Sequence, residues 1–180
     1  MGVDPGTTIT GYGLLACEGK QMQLLTYGVI RLGKLTDFTH AQKLKKIYDR
    51  ISSLVAEFKP DEFAIEAPFM GKNIQSMFKL GRAQGVAIAA ALANDIPVSE
   101  YAPKKIKMAV AGSGSASKEQ VARMLETLLK FEYDEEVLDA SDALAVAVCH
   151  FFQISSAIPT TKGKGWGSFL ANNPDKIIKR

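Results

Sequence analysis

The segment Val3-Asp4-Pro5-Gly6-Thr7 and the two runs that follow it, Thr10 to Cys17 and Gln21 to Leu32, decide the fold of this 180-residue chain. Both runs are apolar and β-branched, and Glu18-Gly19-Lys20 joins them in the manner of a hairpin. Antiparallel neighbours near the amino terminus are therefore predicted. The next stretch changes period. From Thr39 to Phe58, apolar residues recur at Ala41, Leu44, Ile47, Tyr48, Ile51, Leu54, Val55 and Phe58, the spacing of one helical face. Lys59-Pro60 stops that helix, and Phe63-Ala64-Ile65 reads as a short buried strand ending at Glu66 before Pro68. A strand, a helix and a second strand in this order call for a right-handed crossover and a parallel pair.

A second helix is predicted over 74–94, and its half from Gly85 to Ala93 is apolar all round, so more than one of its faces must be covered. Pro97 to Glu100 reads as another short strand. Ser117-Lys118-Glu119-Gln120 has the form of a capping box that opens a helix carrying Val121, Met124, Leu125, Leu128 and Leu129. An acidic connector, Glu132 to Glu136, leads to a last helix from about Leu138 to Phe152. The result is an α/β class, a mixed five-stranded sheet with helices on both faces. One domain is expected over 1–156, followed by a basic tail over 157–180 in which Gly163, Gly165, Gly167, Pro159 and Pro174 mark loop.

Composition excludes several classes. With 47% hydrophobic residues and a formal charge of +3, the chain is neither a disordered polyelectrolyte nor a membrane span, since its longest apolar run, Gly85 to Ala93, is far short of the ~18 residues a span requires. Nothing at the amino terminus reads as a signal peptide, and a cytoplasmic location is expected. Cys17 and Cys149 read as small buried hydrophobes, and with His40 and His150 the only histidines, a Zn site is not expected.

The charges are segregated along the chain. Residues 67–118 hold seven basic side chains (Lys72, Lys79, Arg82, Lys104, Lys105, Lys107, Lys118) against Asp95 and Glu100. Residues 119–142 then hold eight acids against Arg123 and Lys130. Taken alone such blocks are solvated faces, but the pattern also suits a polyanion binder that gathers cations at a separate carboxylate cluster.

Four carboxylates are placed for chemistry. Asp4 leaves the first strand before Pro5-Gly6, where it also suits turn initiation, and Glu66 ends the buried strand Phe63-Ala64-Ile65. In open α/β sheets, ligand crevices lie beyond such carboxyl ends. Asp139 and Asp142, three apart on one face of an apolar helix, repel one another; the helix dipole accounts for an acid at Asp139 better than for one at Asp142. If the four converge, they form a set of hard oxygen donors suited to Mg²⁺ or Mn²⁺ and to a phosphoryl substrate. Two such ions ~4 Å apart clamp the attacking and leaving oxygens of an in-line displacement. Gly11-Tyr12-Gly13 lacks the third glycine of a dinucleotide fingerprint, and Gly112-Ser113-Gly114-Ser115-Ala116-Ser117-Lys118 lacks the glycine before lysine of a P-loop. The latter stretch, flanked by Lys107 and Lys118, is either a plain loop or one whose N–H groups face a phosphate.

Taken together these residues resemble the RuvC family of Holliday junction resolvases. The match runs in order through Val3-Asp4-Pro5-Gly6-Thr7, Thr10-Gly11-Tyr12-Gly13, Phe63-Ala64-Ile65-Glu66, Phe69-Met70-Gly71-Lys72-Asn73, Leu80-Gly81-Arg82-Ala83-Gln84-Gly85, Tyr101-Ala102-Pro103, Gly112-Ser113-Gly114 and Asp139-Ala140-Ser141-Asp142-Ala143-Leu144-Ala145. The resemblance implies an RNase H-like fold and a homodimer formed through the 74–94 helix. It also implies an endonuclease dependent on Mg²⁺ or Mn²⁺, with two ions per site, that nicks two strands of a four-way DNA junction symmetrically. Asp4, Glu66, Asp139 and Asp142 fall on the family's metal-binding carboxylates. Lys107 and Lys118 fall on basic positions that support DNA binding and cleavage, and Phe69 on an aromatic near the crossover. Lys72, Asn73, Arg82, Lys104 and Lys105 are further expected DNA contacts, and the branch-migration complex of RuvA and RuvB is the expected protein partner. Only Met1-Gly2-Val3 precede Asp4, fewer than is usual in the family, so Asp4 is expected close to a fraying end. The alternatives are an RNase H-like nuclease of the YqgF type acting on RNA, a non-catalytic junction binder, and an ATP-binding domain of the actin–hexokinase group, for whose second lobe the length leaves no room.

Overall fold

The structure is a computed structural model that describes residues 1–33, 38–68, 73–132 and 140–157. Its sheet has five strands: β1 (Gly2–Asp4), β2 (Ile9–Glu18), β3 (Gln21–Arg31), β4 (Phe63–Glu66) and β5 (Val98–Tyr101). They lie in the order β3-β2-β1-β4-β5. The predicted hairpin is β2–β3, antiparallel with a register shift between Leu14 and Leu15. β1 pairs antiparallel with β2 and parallel with β4, and β4 pairs parallel with β5. The sheet is mixed, as the order of elements required.

Five helices cover it: α1 (His40–Phe58), α2 (Ile74–Leu92), α3 (Pro103–Ala111), α4 (Lys118–Leu129) and α5 (Ser141–Ala157). α1 opens on a capping box between Thr39 and Gln42, and α4 on one between Ser117 and Gln120. α1 and α2 bury Ile47, Ile51, Leu54, Ala83, Ala87 and Ala90 on one face of the sheet with Val3, Phe63 and Ile65. α3, α4 and α5 bury Ile106, Val110, Leu125, Leu144, Val146 and Val148 on the other with Ala64 and Tyr101. α3 was not foreseen. Its four lysine and methionine positions blur the helical period, and its start depends on Pro103 at the first turn, a position where proline's fixed φ is already helical. The last helix is described over Ser141–Ala157, running past the expected end at Phe152, and Leu138 and Asp139 lie outside the described residues. So do the tail residues beyond 157. Cys17 is exposed near the end of β2 and is not the buried hydrophobe expected; Cys149 is buried. Among the described residues no helix is long and apolar enough to cross a membrane.

The end of β1 is tied down. The Met1 ammonium donates to the Glu62 carbonyl at 2.8 Å, and the Ala64 N–H donates to the Met1 carbonyl at 2.8 Å. Burial of that ammonium brings its pKa down to about 6. Asp4 is thus carried by a strand anchored on both sides, where a fraying end was expected.

Two glycines let α5 lie against the sheet. A Cβ on Gly2 would stand 2.4 Å from the Ala143 carbonyl oxygen and 2.5 Å from the Ala147 nitrogen, and one on Gly13 would stand 2.5 Å from Leu144 Cδ2. Gly2 and Gly13 face each other across β1 and β2, so they form one bare patch under the helix. The buried contact of the Tyr101 hydroxyl with His150 Nδ1, 2.8 Å, fastens the helix's far half to β5. Because the obstruction at Gly2 is backbone, Gly2→Ala forces the helix outward. A loss of about 1–3 kcal/mol is expected, read as a fall in denaturation midpoint, with Gly13→Ala milder because the Leu144 side chain can turn.

Candidate active site

Asp4 and Glu66 end adjacent parallel strands whose register pairs Gly2 with Ala64 and Val3 with Ile65, so the two carboxylates leave the sheet side by side. Asp142 lies in the first turn of α5, which the glycine patch holds over β1. Lys107 comes from the middle of α3 and Lys118 from the first turn of α4. These five side chains line one cavity of about 340 Å³, walled on its apolar side by Pro103, Ile106, Val121 and Ala145. Sequence reading did not place Pro103 and Ile106 on this wall because it missed α3; the apolar spacing Ile106–Val110 was the one available signal.

The electrostatics of the cavity are uneven. Lys118 Nζ lies 2.6 Å from Asp142 Oδ2, while Lys107 Nζ donates to the Ala116 carbonyl at 2.8 Å and so ties α3 to the loop before α4. Glu66 is pushed up to about 8 from an ordinary 4.5, first by burial, then by the charges of Asp4 and Asp142, with Lys118 and Lys107 opposing. Carboxylates so crowded that one of them holds its proton at neutral pH are short of positive charge. The donor set is oxygen only, with no histidine or cysteine lining the cavity, and it fits a hard divalent cation. Among the described residues no three such side chains already stand close enough to enclose an ion, and Asp139 lies outside those residues.

Of the further expected DNA contacts among the described residues, none lines this cavity. Lys104 and Lys105 are exposed on α3, with Lys105 Nζ 5.1 Å from the centre of the Tyr101 ring. Arg82 is exposed on α2. Asn73 caps α2, its side chain accepting from the Ser76 N–H at 3.1 Å, which commits that oxygen to the fold. Phe69 and Lys72 lie outside the described residues.

A family model described as crossover junction endodeoxyribonuclease RuvC matches residues 1–150, a span that includes every element lining the cavity. The chain belongs to the RuvC family. Crossover junction endodeoxyribonuclease RuvC of Cytophaga hutchinsonii is 59% identical over 98% of this chain and 86% of the relative. The protein of the same name from Porphyromonas gingivalis is 57% identical over 98% of this chain and 95% of the relative. Among solved structures, RuvC of Thermus thermophilus in complex with a Holliday junction substrate superposes with a TM-score of 0.79 at 30% identity, covering 87% of this chain and 94% of that one. The five-stranded mixed sheet with helices on both faces is the RNase H-like arrangement that the RuvC resemblance implied.

Glu66 supplies a test within the protein itself. Its folded-state pKa lies above its unfolded value, so between pH 4.5 and about 8 the native state keeps a proton that the unfolded chain releases. Stability of the metal-free protein therefore falls as pH rises through that window. Glu66→Gln removes the penalty. In EDTA the variant is expected to match the parent near pH 4.5 and to exceed it by about 2–4 kcal/mol at pH 8, measured by denaturant titration at each pH.

Proposed function

We propose that this chain is a crossover junction endodeoxyribonuclease that resolves four-way DNA junctions by hydrolysing one phosphodiester in each of two opposed strands. Membership of the RuvC family carries the activity. The single structural observation that carries the assignment of residues is the cavity in which Asp4, Glu66 and Asp142 meet Lys107 and Lys118. Asp4, Glu66 and Asp142, with Asp139 from the sequence pattern, would hold divalent metal, Mg²⁺ or Mn²⁺, two ions per site. When bound, such ions lower the pKa of water and neutralise charge on the transferred phosphoryl group.

The chain's own side chains account for the rest. The apolar wall of Pro103, Ile106, Val121 and Ala145 keeps the site partly dry, which strengthens every charge interaction at the phosphate. Lys118, paired with Asp142 at 2.6 Å, would be able to turn from that carboxylate to a phosphate oxygen were Asp142 to hold a cation instead. Lys107 is oriented by the Ala116 carbonyl and supplies a second positive charge from the opposite helix. Glu66, whose pKa is raised to about 8 by burial and by Asp4 and Asp142, would have to give up its proton to hold a cation.

Symmetric cleavage of a two-fold junction requires two such sites, and the surface of α2 supports a homodimer. Ile74, Phe78 and Leu92 are 64%, 66% and 55% exposed on one side of that helix. Gly81 and Gly85 on the same stretch have no heavy atom within 4 Å of a built Cβ, leaving room for close helix approach. The family resemblance supports delivery of the junction by RuvA and RuvB.

The deciding experiment compares a synthetic four-way junction with linear duplex and RNA–DNA hybrid, in Mg²⁺ and in EDTA. Paired nicks on the junction alone, abolished by EDTA, are expected; cleavage of the hybrid instead would favour the YqgF-type alternative. Asp142→Asn is expected to bind the junction normally and to cleave it at least about 100-fold more slowly, and an undiminished rate would remove Asp142 from the catalytic set. Phe78→Glu is expected to convert a dimer to monomer in sedimentation velocity and to abolish paired nicking.

A further inference from the structure

At the edge of the sheet farthest from β5, a groove of about 480 Å³ between β3 and α1 is lined by Val29, Ile30, Arg31, Lys46, Asp49 and Arg50. Three cations face one acid there, and the acid is already engaged, since Lys45 Nζ lies 2.5 Å from Asp49 Oδ2. Two of the cations are held by aromatic rings. Lys46 Nζ sits 3.6 Å from the centre of the Phe38 ring. The Arg50 guanidinium donates to the Tyr12 hydroxyl at 3.0 Å and lies 5.3 Å from that ring's centre. Cations fixed on aromatic faces lose little side-chain freedom when they meet an anion.

The register places this groove relative to the cavity. Gly11 pairs with both Asp4 and Val29, and Ile9 pairs with Arg31, so Arg31 stands two residues beyond the row of Asp4, at the same end of the sheet. Two strand spacings, about 10 Å, separate the rows laterally. On one DNA strand that distance spans about three phosphates along the helix axis. The groove lies beside α1, which covers the sheet face opposite to the one covered by α3 and α4, the helices that carry most of the basic residues expected to touch DNA.

We propose that the β3–α1 groove is a second DNA-backbone site, which grips the phosphates of a duplex arm neighbouring the one that is cut. The proposal rests on the junction-resolving reading above and adds a surface that the motifs do not include. Its recognition is of backbone and not of sequence, because Arg31, Lys46 and Arg50 lie along a strand edge and a helix flank, where among the described residues no element projects to reach base edges. A resolvase that grips DNA at the β3–α1 edge as well as at the cavity selects for a substrate whose arms diverge between the two, which linear duplex does not provide.

The test uses the full chain, a fluorescent four-way junction in EDTA, and anisotropy titrations over a range of KCl. The double variant Arg31→Gln/Lys46→Gln is expected to bind about tenfold more weakly and to lower the slope of log affinity against log salt by about 2. Arg31→Lys/Lys46→Arg, which keeps the charges, is expected to restore both, separating lost charge from lost packing. On a junction whose arms are trimmed too short to reach the groove, the parent and the Gln variant are expected to bind alike. Unchanged affinity and salt slope on full-length arms, an equal loss on trimmed arms, or failure of the charge-keeping variant to recover would each overturn the proposal. Failure of the underlying reading shows separately, as a parent chain with no preference for junction over linear duplex.

Discussion

The structure depends on how closely α5 can approach β1. A helix packed on a sheet is normally held off by side chains from both, yet here Gly2 and Gly13 present bare backbone to Ala143, Leu144 and Ala147. That contact sets the height of the first turn of α5 above the sheet, and the first turn carries Asp142. The carboxylates of two parallel strands and one helix then share a single cavity. A packing rule about the smallest side chain thereby becomes a rule about the spacing of negative charges.

Bringing those charges together is costly, and the molecule shows where the cost falls. Glu66, its pKa pushed up to about 8 by burial and by the charges of Asp4 and Asp142, keeps a proton at neutral pH, and Asp142 is met by Lys118. The metal-free site is thus a strained arrangement stabilised by one proton and one ammonium. A cation held by these carboxylates would replace both, coupling metal binding to proton release and leaving the lysine available for the phosphate. Strain of this kind is affordable because the surrounding elements are anchored independently: α4 by its capping box, α3 by the link from Lys107 to Ala116, and β1 by Met1 on the β4 side.

The same economy separates the molecule's two faces. The helices α3, α4 and α5 are given over to the cavity, whereas α1 and α2 cover the opposite face with a tight alanine-rich seam. α2 buries Ala83, Ala87, Ala90 and Ala91 and turns Phe78 and Leu92 outward. An apolar helix with one face in the core and the other in water is what the all-round hydrophobicity of Gly85 to Ala93 demanded of its surroundings.

Much of this was legible in the sequence. The hairpin, the α1 period, the capping box at Ser117 and the strand before Glu66 are local patterns, each set by the few residues it spans, and the order of elements then restricted the sheet to the mixed form. The residue types at Asp4, Glu66 and Asp142 likewise announced hard-oxygen chemistry, since no nearby imidazole or thiolate competed. α3 escaped notice because its start rests on one proline and its exposed lysines and methionine hide a two-residue apolar seam, Ile106 and Val110. Cys17 escaped because alternation along a strand does not say where the strand outruns the helices that cover it. Residue chemistry and local period were determined by the sequence itself; the convergence of the carboxylates, the proton held on Glu66 and the placing of Arg31 beside the row of Asp4 were decided only by tertiary structure, because distance between residues far apart in the chain is set by packing and register, and Coulomb interactions depend on that distance.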